Sequence, residues 1–344
     1  MTLAQFEDTY GAYSKTHKTS RGLNYRFIHV PATAAHGTTL LWLHGFPSSV
    51  YEWHYQIDYF HAKGYGIIAP DMLGYGGTDK PADAALYTRS AMARDIMDIV
   101  ESLKLEKRPV AIAHDWGAAL LGRIVDLYSE AFAAFAFFNV GYQPPSPMPF
   151  NLAAVLAWSK ANLGTENIAY WEFFTKDDAD KIIEQNFDSF TDLLHPTDIP
   201  KIWGEHIMVR GATEAFITQN KRVPRATYIT DEEYDAMRKH LAGEGRGLRG
   251  PLNWYSAVVQ GHNTTDDAEL AKKGAKTVPQ PVFYAACDGD VVGHPNFALG
   301  PLRALAKDLT VAEFLGAGHW VYLEHSDKLN QDLGKWLDEK VLAS

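Results

Sequence analysis

The sequence predicts an α/β fold in which a mostly parallel central sheet is flanked by helices and interrupted by one long helical insertion. Three observations carry this. Unbroken apolar runs at residues 38–43 (TTLLWL), 66–70 (GIIAP), 110–113 (VAIA) and 133–140 (AAFAFFNV) alternate with helical stretches, as strands covered on both faces do. At residues 141–150 the pattern breaks into GYQPPSPMPF, which can continue neither element, and the strand period returns only at 281–286 (PVFYAA). In residues 109–121 (PVAIAHDWGAALL) a strand passes into a helix of small and aliphatic residues through one tight turn. The reading divides the chain into a core of residues 1–141 and 270–344 and a helical cap, or lid, of residues 142–269. A chain of 344 residues has room for this and little more.

Each element has its own justification. Residues 23–30 (LNYRFIHV) alternate apolar and polar positions, which suits an antiparallel strand at a sheet edge. Run 38–43 ends in His44, Gly45, Phe46 and Pro47, a turn that leaves backbone N–H groups free where α/β sheets bind ligands. The glycine-rich loop 71–77 (DMLGYGG) lacks the lysine of a phosphate loop and the spacing of a dinucleotide fingerprint, so it reads as a structural turn. A helix from about Ser90 sets Ala93, Ile96, Met97, Val100 and Leu103 on one face, and another covers residues 118–128.

Within the insertion, Tyr170, Trp171, Phe173 and Phe174 open one aromatic helical segment. Thr230 and Glu233 predict a capping box for a helix running to about Leu241, which residues 243–250 (GEGRGLRG) stop. Pro251 then suits the first position of a further helix (LNWYSAVV). Residues 310–315 (TVAEFL) predict the last strand and 326–342 a closing amphipathic helix.

Composition limits the possible functions. A hydrophobic share of 46% with 22% charged residues is that of an ordinary globular protein, and a net charge of -10 repels nucleic acid and anionic membrane surfaces. Cys287 is the only cysteine, so no internal disulfide can form and a reducing compartment is expected. Residues 1–22 lack the apolar core of a signal peptide, and no apolar run is long enough to cross a bilayer, so the expected location is the cytoplasm. The 17 Tyr, 17 Phe and 9 Trp are enough to line an aromatic pocket as well as fill a core.

The strand-turn-helix at residues 113–117 (AHDWG) has the form of a nucleophile elbow with an aspartate, Asp115, at its centre. A serine alkylated at saturated carbon would give an ether that no nearby base can hydrolyse. A carboxylate gives an ester whose carbonyl water can attack, so the residue suits alkylating substrates such as epoxides or alkyl halides. The alternative role for Asp115 is to cap the following helix. Two further groups fall at strand ends: an acid after run 281–286, and His319 after the last strand. Of the acids, Asp288 precedes Gly289 and reads as a turn residue, while Asp290 begins the loop beyond the turn, which favours Asp290 over Asp288 as the partner of His319.

These residues sit in motifs that match a known family almost end to end: HGFPSS at His44, DMLGYGG at Asp71, HDWG at His114, GPLNWY at Gly250 and GHW at Gly318. The chain resembles the soluble epoxide hydrolases of the α/β-hydrolase fold, and the HDWG and GPLNWY pair is the specific part. The resemblance implies Asp115 as nucleophile, His319 as general base and Asp290 as its orienting acid. It also implies an oxyanion hole from the N–H groups of Phe46 and Trp116, with a cis Phe46–Pro47 bond. Tyr170 and Tyr255 would bind the epoxide oxygen, Trp116 would also contact substrate, and neither metal nor cofactor is needed.

The implied partners are an apolar epoxide and water. Trp158, Trp171, Phe174, Phe187 and Trp203 are candidates for the pocket wall. Two positions depart from the family: Ala113 where relatives have Gly, and Ser48 where Glu is frequent. The nearest rival, a dehalogenase, shares the aspartate, the histidine and Trp116. It usually needs a second halide donor where this chain has Phe46, or arginines where it has Trp116 and Ala119. A non-catalytic receptor on the same fold would typically have lost a member of this set.

Overall fold

A computed structural model describes residues 1–242 and 247–343. Eight strands form one sheet: β1 (Ser14–Lys18), β2 (Asn24–Val30), β3 (Thr39–Leu43), β4 (Gly66–Pro70), β5 (Val110–His114), β6 (Ala134–Phe138), β7 (Val282–Cys287) and β8 (Leu309–Phe314). Their order across the sheet is β1-β2-β4-β3-β5-β6-β7-β8, with β1 and β2 antiparallel to their neighbours and every other pairing parallel. β3 to β7 are buried at every position, which is why their sequences read as continuous apolar runs rather than alternations.

β2 is antiparallel as expected, but it is not the edge. β1 lies outside it, a wholly polar SKTHK segment exposed at four of its five positions, with nothing apolar to mark it as a strand. Helices Arg89–Ser102 and Trp116–Tyr128 pack together, while His54–Ala62 packs with Ser326–Leu337. The last helix ends at Leu337, earlier than the sequence suggests, and Asp338–Leu342 continues as one wider π turn.

Register decides where the chemistry can sit. Leu43 pairs with Ala113, His114 with Phe138, Phe138 with Ala285 and Cys287 with Phe314. The carboxyl ends of β3, β5, β6, β7 and β8 therefore open along one edge of the sheet. All helices from Leu152–Leu163 to Thr264–Lys272 fall between β6 and β7. They are tied to the core by Trp254 Nε1–H donating to the Leu73 carbonyl at 2.9 Å, and by Trp320 Nε1–H donating to that of Leu194 at 3.1 Å. Asp267 adds ion pairs to Arg89 at 2.7 Å and to Arg123 at 2.6 Å.

Two expectations in this block need correction, and one falls partly outside the described residues. The Thr230 hydroxyl accepts from Glu233 N–H at 3.2 Å, but the Glu233 carboxylate lies 3.3 Å from His54 Nε2 instead of closing a capping box. Pro251 occupies the third position of helix Arg249–Val259, not the first, still within the turn whose N–H groups have no helical partner. Of the predicted stop at residues 243–250, residues 243–246 lie outside the described residues.

Candidate active site

Asp115 stands between the end of β5 and the start of helix Trp116–Tyr128 with φ 51° and ψ -122°, a conformation costly for a residue with a Cβ. Its side chain does not cap the helix, contrary to the alternative reading. Oδ1 accepts from Phe46 N–H at 2.8 Å, and the side chain remains 13% exposed to the cavity. Close approach of the two turns requires glycines. A Cβ on Gly117 would come within 2.2 Å of the Leu43 carbonyl oxygen, and one on Gly45 within 2.5 Å of the Asp115 Cβ.

Ala113, where the family has Gly, is wholly buried in β5 and is accommodated. The Phe46–Pro47 bond is cis. Trp116 opens the helix, in the first turn where N–H groups lack intrahelical acceptors and favour negative charge.

His319 follows β8, and its ring reaches both acids. Nδ1 donates to Asp290 Oδ2 at 2.7 Å, while Nε2 stands 3.7 Å from Asp115 Oδ2, too far for a hydrogen bond but close enough for the charges to interact. Asp290 is completely buried and also accepts from the N–H groups of Val292 and Gly293, each at 2.9 Å. Asp288 instead accepts from Gly316 N–H at 2.5 Å on the exposed side of the turn, so the geometry pairs His319 with Asp290.

Electrostatics follow from this arrangement. Burial raises the Asp290 carboxyl, but the His319 charge and the donors around it outweigh that and hold it at about 2. Burial lowers His319, yet the Asp290 charge, with help from Asp115, pushes it up to about 10. Asp115 also stays below the ordinary carboxylate range, because His319 and the Phe46 N–H overcome the burial that would raise it. In the free protein the three side chains therefore form an imidazolium between two carboxylates.

Several residues that sequence reasoning passed over hold this group in place. Asn139, one residue beyond β6 and at φ 60°, donates Nδ2–H to Asp290 Oδ2 and to the Gly318 carbonyl, both at 2.9 Å. The signal available was a single polar residue ending the run AAFAFFN. The buried His114 ring lies with Nε2 2.7 Å from the His319 carbonyl oxygen, and burial lowers its pKa to about 3, so it donates as a neutral imidazole. Ser48 lies buried one turn before an equally buried acid. Glu52 accepts from Ser48 Oγ at 2.7 Å and from the Tyr322 hydroxyl at 2.6 Å, and burial lifts its pKa to about 7.

The helices over the sheet edge bring Tyr170 and Tyr255 to the same place. Tyr170 directly precedes the short helix Trp171–Phe174, and Tyr255 lies in Arg249–Val259; their rings meet edge to face at 5.9 Å. The Tyr255 ring is wedged among Trp116 at 4.9 Å, Phe46 at 5.1 Å and Phe174 at 5.2 Å. Burial raises both phenols above their ordinary value, so each keeps its proton. Both line cavities that also expose Asp115.

Of the aromatic wall candidates, Trp171, Phe174 and Trp203 line these cavities. Trp158 does not, being 57% exposed on the outer surface, and Phe187 packs instead against Phe190 and Tyr234. The proline-rich segment read only as a boundary does contribute, through Pro144, Pro149 and Phe150. Among the described residues no group of three or more His, Cys, Asp or Glu is placed to hold a metal ion, and no helix is long and apolar enough to cross a membrane.

Comparison with known proteins agrees with this architecture. The α/β hydrolase fold family matches residues 38–326. Bifunctional epoxide hydrolase 2 of Mus musculus is 25% identical over 332 residues, which cover 93% of this chain and 54% of that protein. Epoxide hydrolase A of Mycobacterium tuberculosis is 28% identical over 312 residues, covering 86% of this chain and 88% of that one. The chain spans about half the length of the mouse and pig bifunctional relatives it matches. The solved structure of an epoxide hydrolase from an endophytic Streptomyces superposes with a TM-score of 0.77 at 25% identity, over 94% of this chain and 95% of that one. Sheet order, elbow and family match lead to one conclusion: the chain belongs to the α/β hydrolase fold family.

Proposed function

We propose that this chain is an epoxide hydrolase that converts apolar epoxides to vicinal diols through an ester on Asp115. The observation that carries the reading is a carboxylate in the elbow, facing a cavity with two protonated phenols and an imidazole 3.7 Å away. The epoxide hydrolases among its relatives support the same substrate class. In this reading residues 142–269 form the cap that supplies the phenols, and residues 1–141 with 270–344 form the core. The single buried cysteine suits the cytoplasm, and the net charge of -10 speaks against nucleic acid as a partner.

The reaction takes two steps. Asp115 attacks an epoxide carbon while Tyr170 and Tyr255 hydrogen-bond the oxygen and one of them gives up its proton, because an alkoxide is a poor leaving group. Esterification removes the Asp115 charge, and with it part of what held the proton on His319. That proton can then restore the phenol and leave the imidazole neutral. His319, oriented by Asp290, next takes a proton from water as it attacks the ester carbonyl, and the N–H groups of Phe46 and Trp116 receive the oxyanion. Collapse returns the Asp115 carboxylate and releases the diol.

The test is intact-mass analysis of His319→Gln after incubation with styrene oxide. An adduct of the substrate's mass on the peptide containing Asp115 is expected, because the ester forms but is no longer hydrolysed. Unimpaired diol formation without adduct contradicts the proposal, and chloride release from chloroalkanes by the wild type would favour dehalogenation.

A further inference from the structure

Asp115 stands between two cavities of very unequal size. The larger, about 530 Å³, is walled by Trp116, Trp171, Phe150 and Val258. The smaller, about 30 Å³, contains His319 and Tyr255 and is closed by Phe174, Leu194, Trp203 and Ile207. Asp115, Tyr170 and Val292 border both. The smaller space has room for about one or two water molecules.

Its walls are not loose. Phe174, Ile207, Trp203 and Leu194 are between 1% and 6% exposed. The Trp203 indole donates to the Leu193 carbonyl at 2.9 Å and its ring lies 5.4 Å from that of His319, while Phe174 meets the Phe190 ring at 6.3 Å. Forcing a second large group among such side chains would demand displaced rotamers in a packed core.

An epoxide attacked by Asp115 must turn its oxygen towards Tyr170 and Tyr255, and its two ring carbons then carry their substituents in different directions. One substituent can stay in the larger cavity. The other carbon faces the small compartment that also has to admit the hydrolytic water beside His319. We propose that the site is one-armed: it takes terminal epoxides bearing a single aryl or alkyl group and rejects trans epoxides substituted at both carbons, with Leu194 and Ile207 as the residues that set this limit. The proposal rests on the epoxide hydrolase reading above.

The experiment compares kcat/KM for styrene oxide and trans-stilbene oxide, which differ by the phenyl group that the small compartment would have to accept. Wild type is expected to favour styrene oxide by about 100-fold or more. Ile207→Ala and Leu194→Ala, which enlarge the small compartment, are each expected to raise the ratio of trans-stilbene oxide to styrene oxide kcat/KM by about 10-fold. The change in ratio separates pocket size from the intrinsic reactivity of the two substrates. Comparable wild-type values for both epoxides, or a ratio that neither variant alters, overturns the one-armed site and leaves the hydrolase reading intact. No turnover of either epoxide by wild type overturns the hydrolase reading and the proposal with it.

Discussion

The carboxyl edge of the sheet and the helices above it supply the same cavity by different physical means. On the sheet side, Asp115, Asp290 and His319 each follow a strand, the first two fully buried, whose register with its neighbours is fixed by backbone hydrogen bonds, and Asn139 joins two of these loops. On the helical side, Tyr170 and Tyr255 are held by packed aromatic rings 5 to 6 Å apart and by a few bonds such as Trp254 to Leu73. A strand end gives a group one position, whereas ring packing restrains it less sharply. Damage to the sheet side should therefore abolish a step outright, and damage to the helical side should weaken a step in proportion.

The comparison breaks most visibly at the proposed nucleophile, Asp115. Asp115→Asn is expected to lower diol formation by about 10⁴-fold or more while the circular dichroism melt stays close to wild type, since Asn tolerates the positive φ. On the helical side, Tyr170→Phe and Tyr255→Phe should each slow ester formation about 10- to 100-fold in single-turnover fluorescence, and together about 10³-fold. A single change as damaging as the pair would show that the two phenols act as a unit. Asn139→Ala sharpens the contrast within the sheet side. It should reduce kcat about 10-fold by loosening Asp290 and His319, yet leave the ester-forming burst unchanged.

A further effect concerns stability rather than rate. The Glu52 pKa is raised from 4.5 to about 7, so its contribution is fully present below about pH 4.5 and is lost as pH rises through 7. Across that window wild type should lose up to roughly 3 kcal/mol relative to Glu52→Gln in urea unfolding, a drift the variant lacks.

Residues whose surroundings are uniform could be read from the sequence. Buried parallel strands appear as apolar runs because both faces are covered, and the elbow shows itself because Gly45 and Gly117 leave no room for a side chain. β1 was hidden because β2 is its one neighbour in the sheet and its side chains are polar and mostly exposed. Asn139, His114 and Glu52 were hidden for another reason. Each makes a contact with a residue distant in sequence, and no local spacing records such a contact. Trp158 shows the converse error, since an aromatic residue in a helix over the cavity can equally face outward.

The central claim is that a carboxylate at the elbow is alkylated and then freed by water at its own carbonyl carbon. A single turnover of excess enzyme with styrene oxide in oxygen-18 water, followed by mass analysis of the peptide containing Asp115, tests it most directly. Label in the Asp115 carboxylate and none in the first molecule of diol is the predicted result. Label in the diol with an unlabelled Asp115 would mean that water attacks the epoxide itself, and would contradict the account.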